Sequence, residues 1–471
     1  MHAFSIKKKQ VARAVGALVL ALGATQVYAT GFQLNEQSGS GLGNAFAGGA
    51  AATDDASAMW WNPAALSQFQ RTQAVAVINI ITPSVKFQND ASLPAANQPL
   101  GNTGGDAGGY NFVPNMYVSV PINAQWTFGL GITVPFGLTT EYDDGWIGRY
   151  QGLKSSIETM NINPALSWKA TPQFAVGAGV NFQKIKATLT QNANYSGALL
   201  TAAAQNGITP GSPTFNAIAQ VTPGLDSKAT ITGDDYAWGW NIGFAWDATP
   251  QLRLAASYRS EIKYNVTGNV SFENPTVTLP PGTPPQLAGT IGALSAGVNS
   301  QALYGRGVSS DITIPQMANF SVLYHVNSKW DVMGDVQYTG WSSIPELRFT
   351  TTSPPPLDAV PLNWDDTWKV AIGATYKVSD QWKARFGVAF DQTPVTTDPT
   401  IRLPDSDRIW LAVGSEYKWN ANMKFDAGFS YIFADSPSFN QNQGSTAKNA
   451  LVNGSYDASV WILSMQGTYT F

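Results

Sequence analysis

Between Asp234 and Trp246 the chain reads DDYAWGWNIGFAW, with Tyr236, Trp238, Trp240, Ile242, Phe244 and Trp246 at alternate positions and Ala237, Gly239, Asn241, Gly243 and Ala245 between them. Successive side chains of a β-strand point to opposite faces, so this stretch predicts a strand with one bulky apolar face and one small or polar face. The same alternation recurs in Phe174–Phe182 (FAVGAGVNF), Ile409–Trp419 (IWLAVGSEYKW) and Trp461–Phe471 (WILSMQGTYTF). Two architectures use such strands. In a sandwich the bulky face meets a second sheet; in a transmembrane barrel it meets lipid and the small face lines a lumen.

The connections choose between them. Short segments rich in Pro, Asn, Asp or Ser lie at Pro121–Gln125, Lys169–Gln173, Asp247–Gln251, His325–Lys329, Lys377–Gln381 and Lys418–Asn422, each joining two patterned runs as a tight reversal. Much longer connections, rich in Gly, Pro, Asn, Ser and Thr, fall at roughly 88–110, 137–154, 190–233, 271–309, 351–363, 393–406 and 434–457. Six short turns alternating with seven long loops predict fourteen antiparallel strands, over 72–87, 111–121, 125–136, 155–169, 173–189, 234–247, 251–270, 310–326, 329–350, 364–378, 381–392, 407–419, 422–433 and 458–471. An even count returns both ends to the short-turn side, periplasmic in a bacterial outer-membrane barrel. The predicted fold class is therefore an all-β transmembrane barrel of 14 strands over residues 71–471.

Fourteen strands fall between the roughly eight whose interior fills with side chains and the 16–18 that leave an aqueous channel. The lumen therefore needs an occupant. Thr30–Leu66 (TGFQLNEQSGSGLGNAFAGGAAATDDASAMWWNPAAL) has small residues for close packing, no sustained period, and a place immediately before strand one. Residues 30–70 are assigned as an N-terminal plug, or hatch.

Residues 1–29 carry Lys7, Lys8, Lys9 and Arg13, then the apolar run AVGALVLALGA and Val27-Tyr28-Ala29, the pattern of a signal peptide cleaved after Ala29. Its loss removes four basic residues and moves the formal charge from −4 to −8, which argues against nucleic acid as a partner. Charged residues make up only 12% of the chain and aromatic residues another 12%, and no apolar run of about 18 residues follows the leader, so a spanning helix is not expected.

Catalytic chemistry finds little support. The chain has no cysteine and two histidines; His2 leaves with the leader, and His325 falls in a predicted periplasmic turn. One histidine with scattered carboxylates makes a poor zinc site. The pairs Asp54-Asp55, Asp143-Asp144, Asp234-Asp235 and Asp365-Asp366 lack a calcium-loop pattern, and Gly39–Gly43 (GSGLG) precedes no strand–helix unit or Lys-Ser/Thr. No metal, cofactor or enzymatic activity is expected.

Gly31-Phe32-Gln33-Leu34-Asn35-Glu36, Ser40-Gly41-Leu42-Gly43 and Asn62-Pro63-Ala64 resemble the hatch of the FadL family of outer-membrane long-chain fatty acid transporters, a family that includes the OmpP1 and TodX proteins. The resemblance continues through Val113-Pro114-Asn115-Met116, Glu158-Thr159-Met160-Asn161, Tyr258-Arg259-Ser260-Glu261 and Pro404-Asp405-Ser406-Asp407-Arg408. It implies passive uptake of hydrophobic molecules: capture at long external loops, binding in a lumenal pocket, and sideways release through the wall. It also implies that Gly31 and Phe32 form the hatch tip at the pocket and that Asn62, Pro63 and Ala64 fix the hatch. Pro135, Phe136 and Gly137 would then form a kink in strand three that opens the wall. Pro cannot donate to a β-ladder and Gly tolerates a bend, so these residues equally suit a strand ending at a loop. A carboxylate head group needs a partner. Arg348 matches a family lumenal position, Arg408 lies in the Pro-Asp-x-Asp-Arg motif, and Lys186 with Lys184 stands just before Leu189, where the family has a basic residue. Each has a plainer reading: Arg348 as a solvated strand top, Arg408 as the partner of Asp405 or Asp407.

The expected function is uptake of long-chain fatty acids by a monomer set among outer-membrane lipid and lipopolysaccharide. Rivals are the same fold carrying uncharged hydrophobic compounds such as monoaromatic hydrocarbons, a lipid hydrolase, and a polar porin. Leu199, Leu200, Phe215 and Leu303 in the two longest loops are candidates for the external groove.

Overall fold

The computed structural model describes residues 31–357, 359–395, 400–441 and 450–471; the expected signal peptide lies outside the described residues. Fourteen antiparallel strands close into a barrel. They are β1 (Gln73–Asn89), β2 (Asn111–Pro121), β3 (Trp126–Thr133, resuming at Gly137–Glu141), β4 (Lys154–Lys169), β5 (Phe174–Asn194), β6 (Asp226–Asp247) and β7 (Leu252–Arg259 and Ile262–Glu273). The second half comprises β8 (Arg306–Ile314 and Met317–His325), β9 (Trp330–Thr339, with Thr350–Thr351 above), β10 (Thr367–Lys377), β11 (Trp382–Asp391), β12 (Arg408–Lys418), β13 (Met423–Ala434) and β14 (Val452–Thr470). Pairing of β1 with β14, from Gln73↔Thr470 to Asn89↔Gly454, closes the ring.

Alternation is the physical basis of the wall. On β6, Trp238, Trp240, Phe244 and Trp246 are exposed on the outer face while Ala237, Asn241 and Ala245 are buried on the inner one. The same holds around the circumference, with Phe320, Ile372, Phe386, Leu411 and Phe429 outward. An outward apolar band with aromatic residues is what lipid selects.

All six short turns use one device. An Asn, Thr or Ser two residues into the turn accepts the amides two and three positions on: Asn123, Thr171, Thr249, Asn327, Ser379 and Asn420. The side chain replaces the backbone acceptor that a reversing chain lacks.

On the other side β5 and β6 reach 21 and 22 residues, far beyond the roughly 9–11 needed to cross the hydrocarbon, so their upper halves stand outside the membrane. Their loop holds α1 (Tyr195–Gln205) and α2 (Pro213–Val221), and the loop after β7 holds α3 (Pro285–Gln301). The polar extensions of β5 and β6 lack the bulky/small alternation, and their ladder therefore runs beyond the expected limits at 189 and 234.

Three adjacent strands are interrupted at one level. The breaks after Arg259 in β7, after Ile314 in β8 and after Thr339 in β9 are in register, since Arg259 pairs with Met317, Met317 with Thr339, and Ile262 with Ile314. Continuous strands over 251–270, 310–326 and 329–350 are thus corrected; Pro315, which has no amide to donate, sits in the β8 gap.

Residues 31–70 bond to strands around the whole circumference and therefore lie inside the ring. Leu34 reaches β3, Ala64 β4, Asn62 β6, Ala50 β8, Asn44 β10 and β11, and Gly39 β14. Short helical turns at Gly39–Leu42, Ala56–Met59 and Pro63–Gln68 give this segment its compactness.

Candidate functional site

The hatch tip plugs an aromatic pocket. Phe32 is buried against Phe136, Trp341 and Trp364, with ring centroids 5.8, 5.0 and 6.0 Å away. Trp341 and Trp364 meet edge to face at 5.4 Å, an arrangement that favours aromatic packing beyond simple area burial. Gly31 reaches this position with φ +58°, and a Cβ there would lie 2.6 Å from the Trp341 ring. Its amide donates to Asp405 Oδ2 at 3.0 Å, and the other Asp405 oxygen is held by Arg408.

Directly beside Phe32, β3 is broken between Thr133 and Gly137, and the hatch stitches the gap. The Leu34 amide donates to the Pro135 carbonyl at 2.8 Å, the Gly137 amide to the Phe32 carbonyl at 2.8 Å, and Gln37 Nε2 to the Val134 carbonyl at 3.1 Å. Asn115 Oδ1 accepts the Val134 amide, and Thr159 Oγ1 both accepts the Phe136 amide and donates to its carbonyl. Every backbone polar group that the break frees thereby finds a partner, as a buried backbone requires.

The opposite end of the hatch is fixed. Asn62 donates to the carbonyls of Ala50 and Phe244, each at 2.9 Å, and accepts the Ala64 amide at 2.9 Å. Glycines on the wall make room: a Cβ on Gly177 would sit 2.3 Å from the Pro63 carbonyl carbon, and one on Gly243 2.0 Å from Asn62 Oδ1. The Arg259 guanidinium stacks 3.8 Å over Trp60 and donates to its carbonyl. On the periplasmic face Asp54 pairs with Lys383 at 3.4 Å and Arg385 at 3.5 Å, and Asp55 with Lys424 at 3.6 Å. Burial opposes ionisation of Asp54, but Lys383, Arg385 and Lys424 outweigh it and hold the carboxyl well below its ordinary value.

Between the two ends, Glu36 is fully buried and neither carboxylate oxygen has a hydrogen-bond partner among the described residues. Burial pushes its carboxyl up to about 7, opposed by Lys369 and Arg408.

Above the tip, a narrow pocket of about 40 Å³ is lined by inward residues of β4–β8, among them Ile157, Leu189, Ile231, Val266 and Ile312, and by Leu347 and Phe349. Farther out, α1, α2 and α3 pack into an apolar cluster containing Leu199, Ile218, Ile291 and Leu294, with Leu200, Phe215 and Leu303 half-buried on it.

Residues 20–471 match the model of a family described as "Outer membrane protein transport protein (OMPP1/FadL/TodX)". The chain belongs to this family. It is 32% identical over 433 residues to a long-chain fatty acid transport protein of Escherichia coli O157:H7, covering 90% of this chain and 92% of that one. It is 29% identical over 433 residues to outer membrane protein P1 of Haemophilus influenzae, covering 88% of each. Among solved structures, a Pseudomonas aeruginosa FadL homologue aligns with a TM-score of 0.79 at 26% identity, over 94% of this chain and 100% of that one. The toluene transporter TodX of Pseudomonas putida shares the fold, with a TM-score of 0.60 at 16% identity over 88% of this chain and 94% of that one. As a family member the chain is an outer-membrane barrel protein.

Two residues expected at the ligand lie elsewhere. Lys186 follows the outward parity of Phe174, Val180 and Phe182, because Gln183 and Ile185 occupy the lumenal positions, and it is exposed on the outer wall. Arg348 points away from the pocket that Leu347 and Phe349 enter, pairing with Glu346 at 2.6 Å in solvent. Arg408 is in the lumen but is committed to Asp405. His325 pairs with Asp331 at the periplasmic surface.

Arg402, which sequence reasoning passed over, is buried in the lumen. It comes from the loop between β11 and β12, where no periodicity marks a lumenal position. Its Nη1 donates to Ser155 Oγ at 3.2 Å and to the Lys154 carbonyl at 3.4 Å, and its Nη2 to Gln191 Oε1 at 2.6 Å. Burial lowers its guanidinium to about 10, which leaves it charged at neutral pH.

Proposed function

We propose that this chain is a passive outer-membrane channel for long-chain fatty acids. The external helices α1–α3 offer an apolar surface for capture, the pocket above the tip receives the chain, and the ligand leaves sideways through the β3 break into lipid. Each methylene buried contributes roughly 0.8 kcal/mol, so apolar surfaces in series can draw an acyl chain out of water without an energy source. The observation that carries the reading is the double engagement of the tip. Phe32 fills the aromatic pocket, and the same stretch donates and accepts the hydrogen bonds that close the wall at Pro135 and Gly137. A ligand that displaces Phe32 thereby also releases the break, while Trp60–Ala64 stay anchored. The fatty-acid transport protein of E. coli, 32% identical over most of both chains, supports the same substrate class.

The test is uptake of oleate by cells whose own transporter is deleted. Pro135→Val combined with Gly137→Ala, which restores a ladder donor and stiffens the bend, is expected to reduce uptake about tenfold with the barrel intact. Normal uptake would sink the lateral route.

A second reading keeps the route and changes the cargo to uncharged hydrocarbons. It draws on the apolar lining of the pocket and on the outward placement of Lys186 and Arg348. Binding of laurate or oleate compared with toluene by purified protein separates the two. In either reading the barrel works as a monomer amid outer-membrane lipid and lipopolysaccharide; a plugged lumen suits neither a polar porin nor a hydrolase.

A further inference from the structure

Among the described residues, Arg402 is a buried cation without a buried counter-charge. Among the described residues no carboxylate lies within ion-pair distance of it, and the oxygens it reaches belong to Ser155, Gln191 and the Lys154 backbone. Of the other buried arginines, Arg149 pairs with Asp226, Arg385 with Asp426 and Arg408 with Asp405, while Arg306, outside the pocket lining, donates to the Tyr304 and Pro355 carbonyls and stacks on Tyr304. Arg259, which also lacks a carboxylate, stacks on Trp60 beneath the tip. A guanidinium taken out of water with only neutral partners is costly, and that cost falls when an anion arrives.

Its position relative to the apolar pocket is defined by the β4–β5 ladder. Ser155 and Ile157 are successive inward residues of β4, and their ladder partners on β5 are Leu189 and Ala187. Ile157, Ala187 and Leu189 line the pocket, so the Arg402 guanidinium stands over Ser155, one inward step, about 7 Å, above the pocket wall. The next inward residue below Ile157 is Thr159, which holds the β3 break. One column on β4 therefore runs from cation to apolar pocket to gate. The guanidinium is also held in place: the Thr140 hydroxyl donates to the Arg402 carbonyl at 3.1 Å and the Tyr142 hydroxyl to the Ile401 carbonyl at 2.8 Å, while Ile401 and Leu403 belong to the apolar cluster of Phe32 and Ile157. Backbone at Gly152 lies against it, where a Cβ would stand 3.2 Å from Arg402 Cγ.

We propose that Arg402 is the anion-binding residue of the lumenal pocket, taking the carboxylate of a fatty acid whose chain extends down the β4 column toward Phe32 and the β3 break. This rests on the fatty-acid reading above. The carboxylate exchanges with Gln191 as the partner of Nη2, and the guanidinium fork gives the bidentate geometry that carboxylates prefer. The residue sets specificity for a charged head; the apolar column accepts any chain.

The test compares laurate with 1-dodecanol, which share a chain and differ in the head, by tryptophan fluorescence on the full-length protein in lipid nanodiscs. The wild type is expected to favour laurate by about tenfold or more, the scale of a charge-assisted hydrogen bond. Arg402→Gln should bring the ratio close to one, and Arg402→Lys should retain most of it. Gln191→Glu keeps the side-chain volume and supplies an internal carboxylate to Arg402, so it should also collapse the ratio; it decides the matter if Arg402→Gln does not fold. A preference for laurate that persists in Gln191→Glu and Arg402→Gln overturns the proposal. A wild type that binds both ligands equally overturns it too, but leaves hydrophobic uptake standing. A wild type that binds neither overturns the transport reading beneath it.

Discussion

The Gly137 amide donates to the Phe32 carbonyl at 2.8 Å, a single hydrogen bond between the barrel wall and the tip of the segment it encloses. With the Leu34 amide on the Pro135 carbonyl, it makes the tip an extra strand laid across the β3 gap. Leu34→Pro deletes the second of these bonds and leaves a buried carbonyl without a donor, at a cost of about 1–3 kcal/mol. The expected outcome is faster amide exchange across Val134–Glu141 and a lower thermal midpoint. Unaltered exchange there would mean that the tip does not brace the wall.

Gly31→Ala tests the tip from the other side. An L-residue at φ +58° is strained by about 1–2 kcal/mol, and the new methyl would meet the Trp341 ring at 2.6 Å. The tip should leave Asp405, seen as proteolytic sensitivity of the N-terminus. Trp341→Phe, which withdraws the six-membered ring that the methyl strikes, should restore part of the protection in the double variant.

Hatch anchorage is tested at Gly243. Its Cβ would stand 2.0 Å from Asn62 Oδ1, so Gly243→Ala should push the Asn62-Pro63-Ala64 turn off the wall and raise the conductance of reconstituted protein to small polar solutes. Gly334→Ala is the control, since the nearest atom to its Cβ is the Ala371 carbonyl oxygen at 3.8 Å, and its conductance should match the wild type.

Glu36 predicts a pH dependence of stability. Its carboxyl is raised from 4.5 to about 7 in the fold, so between these values the native state holds a proton that the unfolded chain releases. The stability contributed by this group is fully present below about 4.5 and is lost as pH rises through 7, on the order of 3 kcal/mol in total. Lys369, Asp391 and Arg408 modulate the charge from the surrounding wall. Glu36→Gln should flatten the melting midpoint across this range; a wild type whose midpoint is level from pH 4.5 to 8 would contradict the assignment.

What the sequence could reveal depended on repetition. The fourteen strands are readable because lipid on one side and a lumen on the other impose the same alternation everywhere, and the Asn, Thr or Ser of each short turn marks the reversals. The outward parity of β5 was equally readable: Phe174, Val180 and Phe182 put Lys184 and Lys186 outside, and that rule outweighs proximity to a family position. Helices α1 and α2 lie in a stretch expected only as a long loop, although Asn194 and Ser212, which accept the Gly197 and Phe215 amides, are residue types that favour N-caps. The Phe32 pocket and the Arg402 environment left no such mark. They are built from segments as much as 374 residues apart, and no local pattern reports which inward positions share a level of the barrel.

Pairing of β1 with β14 also dictates an order of assembly. Gln73 has Thr470 as a neighbour, so the first strand acquires its second partner only when the last residues of the chain are present. Until then two open edges stand exposed, each able to template foreign strands. The segment before β1 is made first, yet its anchors lie on β3, β6, β8, β10 and β14, and these surround it only once the ring is shut. Synthesis thus delivers the cork before the bottle, and a chain truncated anywhere in β14 would lose not one strand but the enclosure that gives its own beginning a shape.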